Sequence, residues 1–205
     1  MPRLLLIDNF DSFTFILRDY LQRYAHQVDV LRNYDAKIFD LQGYDGVVIS
    51  PGPRTPQASG RLIEFVYNNL EYIPMLGICL GHQALGLALG GKLERSDTPW
   101  HGVSTKIHLQ PHPMFGGLGN SIEVGRYHSL YISGLDENIV DITATDQQGL
   151  AMAFAHKSLP LWGIQFHPES CMTNGGERII ENWVGGLAST LPNSHDIHRE
   201  RLGER

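Results

Sequence analysis

Cys79 stands in the run Gly77-Ile78-Cys79-Leu80-Gly81-His82-Gln83, with a glycine two residues before the sulfur and another two residues after it. That spacing suits a sharp turn from a strand into a helix, the construction that lifts a nucleophile clear of a sheet. A thiol at such a corner lies near a helix N-terminus, where free N–H groups and the helix dipole favour thiolate over thiol. The Leu80 amide is then placed to donate to a developing oxyanion. The competing reading is a small buried apolar residue, the common state of a free cysteine, and the paired glycines weigh against it.

A thiolate needs a proton carrier, and His167-Pro168-Glu169 supplies one. It follows the apolar run 161–166. Like Cys79, it therefore falls just past the carboxyl end of an expected strand, where open α/β sheets hold their ligands. Glu169, held close by Pro168, is placed to bind the other ring nitrogen and fix the tautomer. A third stretch, Ser50-Pro51-Gly52-Pro53-Arg54-Thr55-Pro56, reads as a rigid loop. Its Gly52 backbone can approach a substrate closely and offer a second oxyanion donor; a plain proline-rich turn is the alternative. Arg126-Tyr127-His128-Ser129-Leu130 follows another candidate strand and says little by itself. His108 and His112 are four apart, but Pro111 and Pro113 exclude a helix there, so no metal site is expected. Cys171 lacks the glycines and reads as a bystander thiol.

The elements that must position these groups are legible in the apolar pattern. Residues 4–7, 28–31, 46–50, 75–78 and 161–166 read as buried strands. Phe13, Ile16, Leu17, Tyr20, Leu21 and Tyr24 share one helical face behind Ser12, a candidate cap. Leu62, Phe65, Val66 and Leu70 mark a second helix, residues 81–89 a third closed by Gly90-Gly91, and residues 179–187 a terminal one. The stretches 103–109 and 140–144 alternate as half-buried strands do. The expected fold is α/β, an open, mixed and mostly parallel sheet flanked by helices. One domain over residues 1–188 is expected, with a polar tail over 189–205 that is mobile or serves in docking.

The chain has 205 residues, 42% of them hydrophobic and 19% charged, which suits a globular domain and excludes a wholly disordered chain. Sixteen Lys and Arg against 22 Asp and Glu give a net charge of −6, which argues against a binder of nucleic-acid phosphates. No apolar run is long enough for a membrane span, and the opening run is too short for a secretory leader. With two cysteines and no Cys-x-x-Cys, reduced thiols in a cytoplasmic protein are expected.

Taken together, the Cys79 elbow, the Pro51-Gly52-Pro53 loop and Gln165-Phe166-His167-Pro168-Glu169-Ser170 resemble the class I glutamine amidotransferases, over residues 1 to about 188. Asp8-Asn9-Phe10-Asp11-Ser12-Phe13-Thr14 and the 126–130 motif narrow the resemblance to the small subunits of anthranilate synthase and aminodeoxychorismate synthase. Arg54 departs from the family pattern, where a small residue is usual. The resemblance implies a flavodoxin-like fold and hydrolysis of L-glutamine through a γ-glutamyl thioester on Cys79. It makes His167 the proton carrier, Glu169 its support, and the N–H groups of Gly52 and Leu80 the oxyanion hole. Gly52, Pro53, Gln83, Ser129 and Leu130 would bind glutamine. It implies no metal or organic cofactor in this chain, and a larger chorismate-binding partner subunit with magnesium in its own site. Residues 8–14 and Trp100-His101-Gly102 are candidates for the partner face. Two other readings stay open. An α/β-hydrolase-type cysteine hydrolase would draw its acid from between nucleophile and histidine, at Asp141 or Asp146. A non-catalytic regulatory subunit would keep the fold without the chemistry.

Overall fold

Strands covered on both faces are written as unbroken apolar runs, and four such runs build the centre of the sheet. The computed structural model describes residues 1–97 and 99–190, the side chains of 188–190 excepted. β1 (Arg3–Asp8) pairs in parallel with β2 (Gln27–Arg32) on one side and β3 (Gly46–Ile49) on the other. β4 (Met75–Ile78) and β11 (Leu161–Ile164) extend this parallel half. Beyond β11 the sheet turns antiparallel through β10 (Ala151–His156), β9 (Val140–Thr145), β6 (Val103–Leu109) and β7 (Ser121–Arg126). The order is β2-β1-β3-β4-β11-β10-β9-β6-β7. Its parallel half has the doubly wound 2-1-3-4-5 arrangement. A separate ribbon pairs β5 (Lys92–Arg95) with β8 (Leu130–Ser133).

Alternation along β1 sorts the core into two layers. Leu4 and Leu6 face the layer that contains Leu17 and Leu21 of α1 (Thr14–Leu21) and Ile179, Ile180 and Trp183 of α4 (Gly176–Thr190). Leu5 and Ile7 face the layer that contains Phe65 and Val66 of α2 (Leu62–Asn69) and Leu80, Ala84 and Leu85 of α3 (Leu80–Ala88). Helices thus cover both faces, as the parallel half requires.

Local details depart from the sequence expectation at α1. Ser12 is exposed and caps nothing; Phe13 occupies the N-cap position without a side-chain bond. Carboxylates organise the entry instead. Asp8 accepts from the Phe10 N–H and the Thr14 hydroxyl, both at 2.9 Å, and Asp11 accepts from the Phe13 N–H at 2.8 Å. Ile16, expected on the inner face, is 43% exposed. α4 runs to Thr190, across the expected boundary at 188, and residues 191–205 of the expected tail lie outside the described residues. Among the described residues no helix is long and apolar enough to cross a membrane.

Candidate active site

β4 carries the chain upward into Cys79, and α3 begins at the next residue. Between them Cys79 adopts φ 51° and ψ −97°, a left-handed conformation that L side chains rarely adopt. The conformation is held from both sides. The Cys79 N–H donates to the Ile164 carbonyl at 2.8 Å, and its carbonyl accepts from the Gln83 N–H at 3.0 Å. The flanking glycines are steric necessities. A Cβ on Gly77 would lie 2.4 Å from the Gly81 carbonyl, and one on Gly81 would lie 2.5 Å from the Ile49 carbonyl. Strand and helix therefore touch backbone to backbone, and the sulfur is left at the apex.

His167 arrives from the loop after β11. Its N–H donates to the Gly125 carbonyl at 3.1 Å, and the Thr173 hydroxyl donates to its carbonyl at 2.6 Å. Nδ1 lies 2.7 Å from Oε1 of Glu169, and both side chains are almost wholly shielded from solvent. This leaves Nε2, which has no other hydrogen-bond partner among the described residues, for the Cys79 thiol nearby. Burial is the largest single influence on the ring and favours its neutral form. Cys79 and Glu169 outweigh it and hold the imidazole pKa well above the ordinary histidine range. Two aromatic rings box the imidazole. Phe13 and Tyr127 meet it edge-on with centroids at 5.3 and 4.8 Å, and pack on each other at 5.2 Å.

The proline-rich loop approaches the elbow through its glycine. A Cβ on Gly52 would come within 2.8 Å of both the Leu80 side chain and the Asn9 carbonyl. Asn9 pins the loop, with its N–H on the Ser50 hydroxyl and its amide on the Ser50 carbonyl, each at 2.9 Å. The Leu80 N–H is one of those an α-helix leaves without an intrahelical acceptor. Pro53 lies exposed beside this loop, and Arg54 takes φ 70°. On the far side of the sulfur, Gln83 donates to the Leu130 carbonyl at 3.0 Å and to Gln165 at 3.3 Å, while Gln165 reaches Cys79 Sγ at 3.7 Å. Ser129 lies half-buried beside Leu130, its carbonyl taken by the Ser96 N–H at 2.9 Å. Cys79, His167, Glu169, Gly52, Leu80 and Gln83 thus gather around one point at the carboxyl ends of β3, β4 and β11.

Several neighbours carried too weak a signal to be read from sequence. Phe13 was legible as a helix-face apolar residue within the 8–14 partner-face candidate, Tyr127 as a member of the 126–130 motif without a role of its own, and Thr173 not at all. Trp100, expected on an outer partner face, turns inward and stacks over the Arg126 guanidinium at 3.5 Å. Cys171 is exposed, and among the described residues no group of three or more His, Cys, Asp or Glu could hold a metal ion. His112 turns its Nδ1 to the Met114 N–H. The acid that an α/β-hydrolase order would require is not at the site. Asp141 is exposed with Lys157 at 3.6 Å, and Asp146 is committed to Arg126 at 2.8 Å.

A strained cysteine elbow on a doubly wound sheet, facing a buried His–Glu pair across a glycine loop, defines a class of thiol-dependent acyl-transfer enzymes. The chain belongs to the class I glutamine amidotransferase family, whose sequence profile matches residues 5–186. It is 38% identical over 188 residues to anthranilate synthase component 2 of Mycobacterium tuberculosis, covering 89% of this chain and 81% of that protein. It is 41% identical over 186 residues to the aminodeoxychorismate synthase of Streptomyces griseus, covering 88% of this chain and 25% of that longer protein. Among solved structures, a Thermoplasma acidophilum protein provisionally described as one of the subunits of GMP synthase superposes with a TM-score of 0.84 at 28% identity. That match covers 100% of this chain and 98% of the other.

Proposed function

We propose that this class I glutamine amidotransferase releases ammonia from L-glutamine through a Cys79 thioester and supplies it to a larger chorismate-aminating subunit. The observation that carries the chemistry is the Glu169–His167 pair beside a sulfur raised on a left-handed corner. His167 takes the thiol proton, and Cys79 Sγ attacks the side-chain carboxamide carbon of glutamine. The N–H groups of Gly52 and Leu80 hold the oxyanion. Collapse of the tetrahedral adduct breaks the C–N bond, and imidazolium protonates the departing ammonia, leaving the γ-glutamyl thioester. Water then attacks the thioester carbon, His167 takes its proton, and the thiolate leaves glutamate behind. Glu169 keeps the ring in one orientation and balances the imidazolium charge. Gln83, Ser129 and Leu130 face the amino-acid end of the substrate, with Gly52 and Pro53 along its other side. No step calls for a metal or organic cofactor in this chain; magnesium belongs to the partner's chemistry.

Free ammonia is mostly ammonium at neutral pH, so its release is useful only beside an acceptor. Relatives named for anthranilate synthase and aminodeoxychorismate synthase support chorismate as that acceptor. The test uses the complex with its large subunit. Cys79→Ser abolishes glutamine-dependent amination of chorismate, while amination fed by ammonium salts continues at the wild-type rate. Equal loss of both in an intact complex would contradict the division of labour. Identifying the product formed by wild-type complex from glutamine and chorismate, anthranilate or aminodeoxychorismate, assigns the pathway.

A further inference from the structure

Behind the glutamine side of the site runs a buried chain of polar groups that the thioester chemistry does not use. Asp146, just past β9, accepts from the Gln148 and Leu150 N–H groups through Oδ1, both at 2.9 Å. Its Oδ2 binds Nη1 of Arg126 at 2.8 Å, and both side chains are at most 5% exposed. Trp100 covers the guanidinium face. The Arg126 Nε–H donates to Nε2 of His128 at 3.2 Å, and Nδ1 of His128 lies 2.9 Å from the Leu130 carbonyl. That same carbonyl accepts from Gln83, whose second partner, Gln165, reaches Cys79.

The direction of each bond follows from its donor. A guanidinium N–H can only donate, so Nε2 of His128 must accept. The ring then carries its proton on Nδ1 and donates to the Leu130 carbonyl. Burial first, and the neighbouring Arg126 charge second, push the His128 pKa down to about 3, which keeps the ring neutral. A buried ion pair gives little net stability over well-packed apolar residues, so the Asp146–Arg126 pair needs another reason to be there.

We propose that Asp146, Arg126 and His128 are positioning residues for glutamine: they lock the Leu130 peptide, and so turn the Gln83 amide to offer Oε1 to the substrate's α-ammonium. With both Nε2 hydrogens spent on Leu130 and Gln165, Oε1 is the acceptor that remains. The inference rests on the reading that Gln83 and Leu130 face the amino-acid end of glutamine. It adds a reason why the site selects a cation at that position and why one tautomer of His128 is required.

The experiment measures glutamine hydrolysis by the complex for His128→Ala, His128→Asn and Gln83→Ala, with thermal unfolding of each variant and its co-purification with the large subunit as the controls for folding and assembly. His128→Ala raises KM for glutamine roughly five- to tenfold, the effect of one lost ordering hydrogen bond, while kcat stays within about twofold. His128→Asn, whose amide donor falls near the lost Nδ1, restores most of the KM. An unchanged KM in His128→Ala, a loss confined to kcat, or no rescue by His128→Asn overturns the relay. Gln83→Ala separates the two levels. A raised KM there with a normal His128→Ala overturns the relay alone, whereas an unchanged KM removes Gln83 from the substrate site and the relay with it. Should His128→Ala fail to fold, nitrogen NMR of the wild-type ring decides: a proton on Nδ1 is expected, and a proton on Nε2 overturns the proposal.

Discussion

Oε1 of Glu169 sits 2.7 Å from Nδ1 of His167 with both groups shut away from water, and the other carboxylate oxygen has no hydrogen-bond partner among the described residues. The carboxylate is therefore committed to one imidazole, and removing it leaves that ring buried with nothing to orient it. Glu169→Ala is expected to lower glutamine hydrolysis by about two orders of magnitude or more, the scale on which orienting acids act. Asp141→Ala, at an exposed ion pair, leaves the rate within about twofold. Steady-state rates of the two variants, compared at saturating glutamine, check this. A larger defect in Asp141→Ala would restore the α/β-hydrolase ordering.

The corner at Cys79 stores backbone strain that a side chain makes worse. Both Cys79→Gly and Cys79→Ala are inactive, but glycine accepts φ 51° without the Cβ penalty. Cys79→Gly should accordingly be the more stable of the two by about 1 kcal/mol in urea unfolding. Gly81→Ala acts in the opposite sense. Its Cβ would meet the Ile49 backbone, which has no rotamer to yield, and a loss of roughly 2–3 kcal/mol is expected. Equal midpoints for the two Cys79 variants would mean that the strain is relieved elsewhere.

The same corner marks how far sequence alone reaches. Glycines at fixed spacing announce Cys79, and unbroken apolar runs announce β1, β3, β4 and β11, because each of these signals is local. The relation of Cys79 to His167 depends on β4 and β11 being neighbours, with Gly77 paired to Gly163. No local pattern encodes that pairing, and the expectation of a shared crevice rested on both residues following strand ends. β10 gave no signal because Met152-Ala153-Phe154-Ala155 is buried on both faces in an antiparallel setting and shows no alternation. β5 and β8 were missed because a short half-exposed ribbon lacks a periodic face. The Asp146–Arg126–His128 chain was illegible because its members touch only after β7, β9 and the 126–130 loop have come together. A buried arginine looks like a surface one in sequence.

Two buried histidines contribute to the loss of stability in acid. Burial pushes His82 down to about 4, offset only in part by the Gly163 backbone, and His128 down to about 3. In the unfolded chain both titrate near 6.5. Below that value the unfolded state binds protons that the folded state refuses, so stability falls as pH drops. The window runs from about 6.5 to about 4 for His82 and on to about 3 for His128, with at most about 1.4 kcal/mol lost per pH unit for each residue. His167 has the opposite sign. Its pKa is raised, so its contribution is complete below about 6.5 and is lost only as pH climbs through the folded value. It does not alter the acid slope. His82→Leu removes one proton from the balance and should flatten urea stability between pH 4 and 6.5 by up to about that slope. An unaltered slope in the variant would show that His82 takes up its proton in the folded state.

The aromatic box around His167 separates shape from hydrogen bonding. The Tyr127 hydroxyl lies 3.0 Å from the Ser170 hydroxyl, away from the imidazole, while its ring and that of Phe13 pack edge-on against the imidazole. Tyr127→Phe keeps the ring and gives up the neutral hydrogen bonds to Ser170 and to the Met172 sulfur, the latter at 3.3 Å, so activity should stay within about threefold at a cost of about 1 kcal/mol in stability. Phe13→Ala opens the imidazole to water and frees its rotation, and its effect falls on turnover. A tenfold or greater drop in kcat at saturating glutamine is expected, since loss of orientation raises the barrier to proton transfer without removing a substrate contact. Ammonium-dependent amination by the complex is the control, and it should be unchanged in both variants. A Phe13→Ala defect that appeared only as weaker glutamine binding would show that the ring shapes the substrate pocket and leaves the imidazole free to hold itself in place.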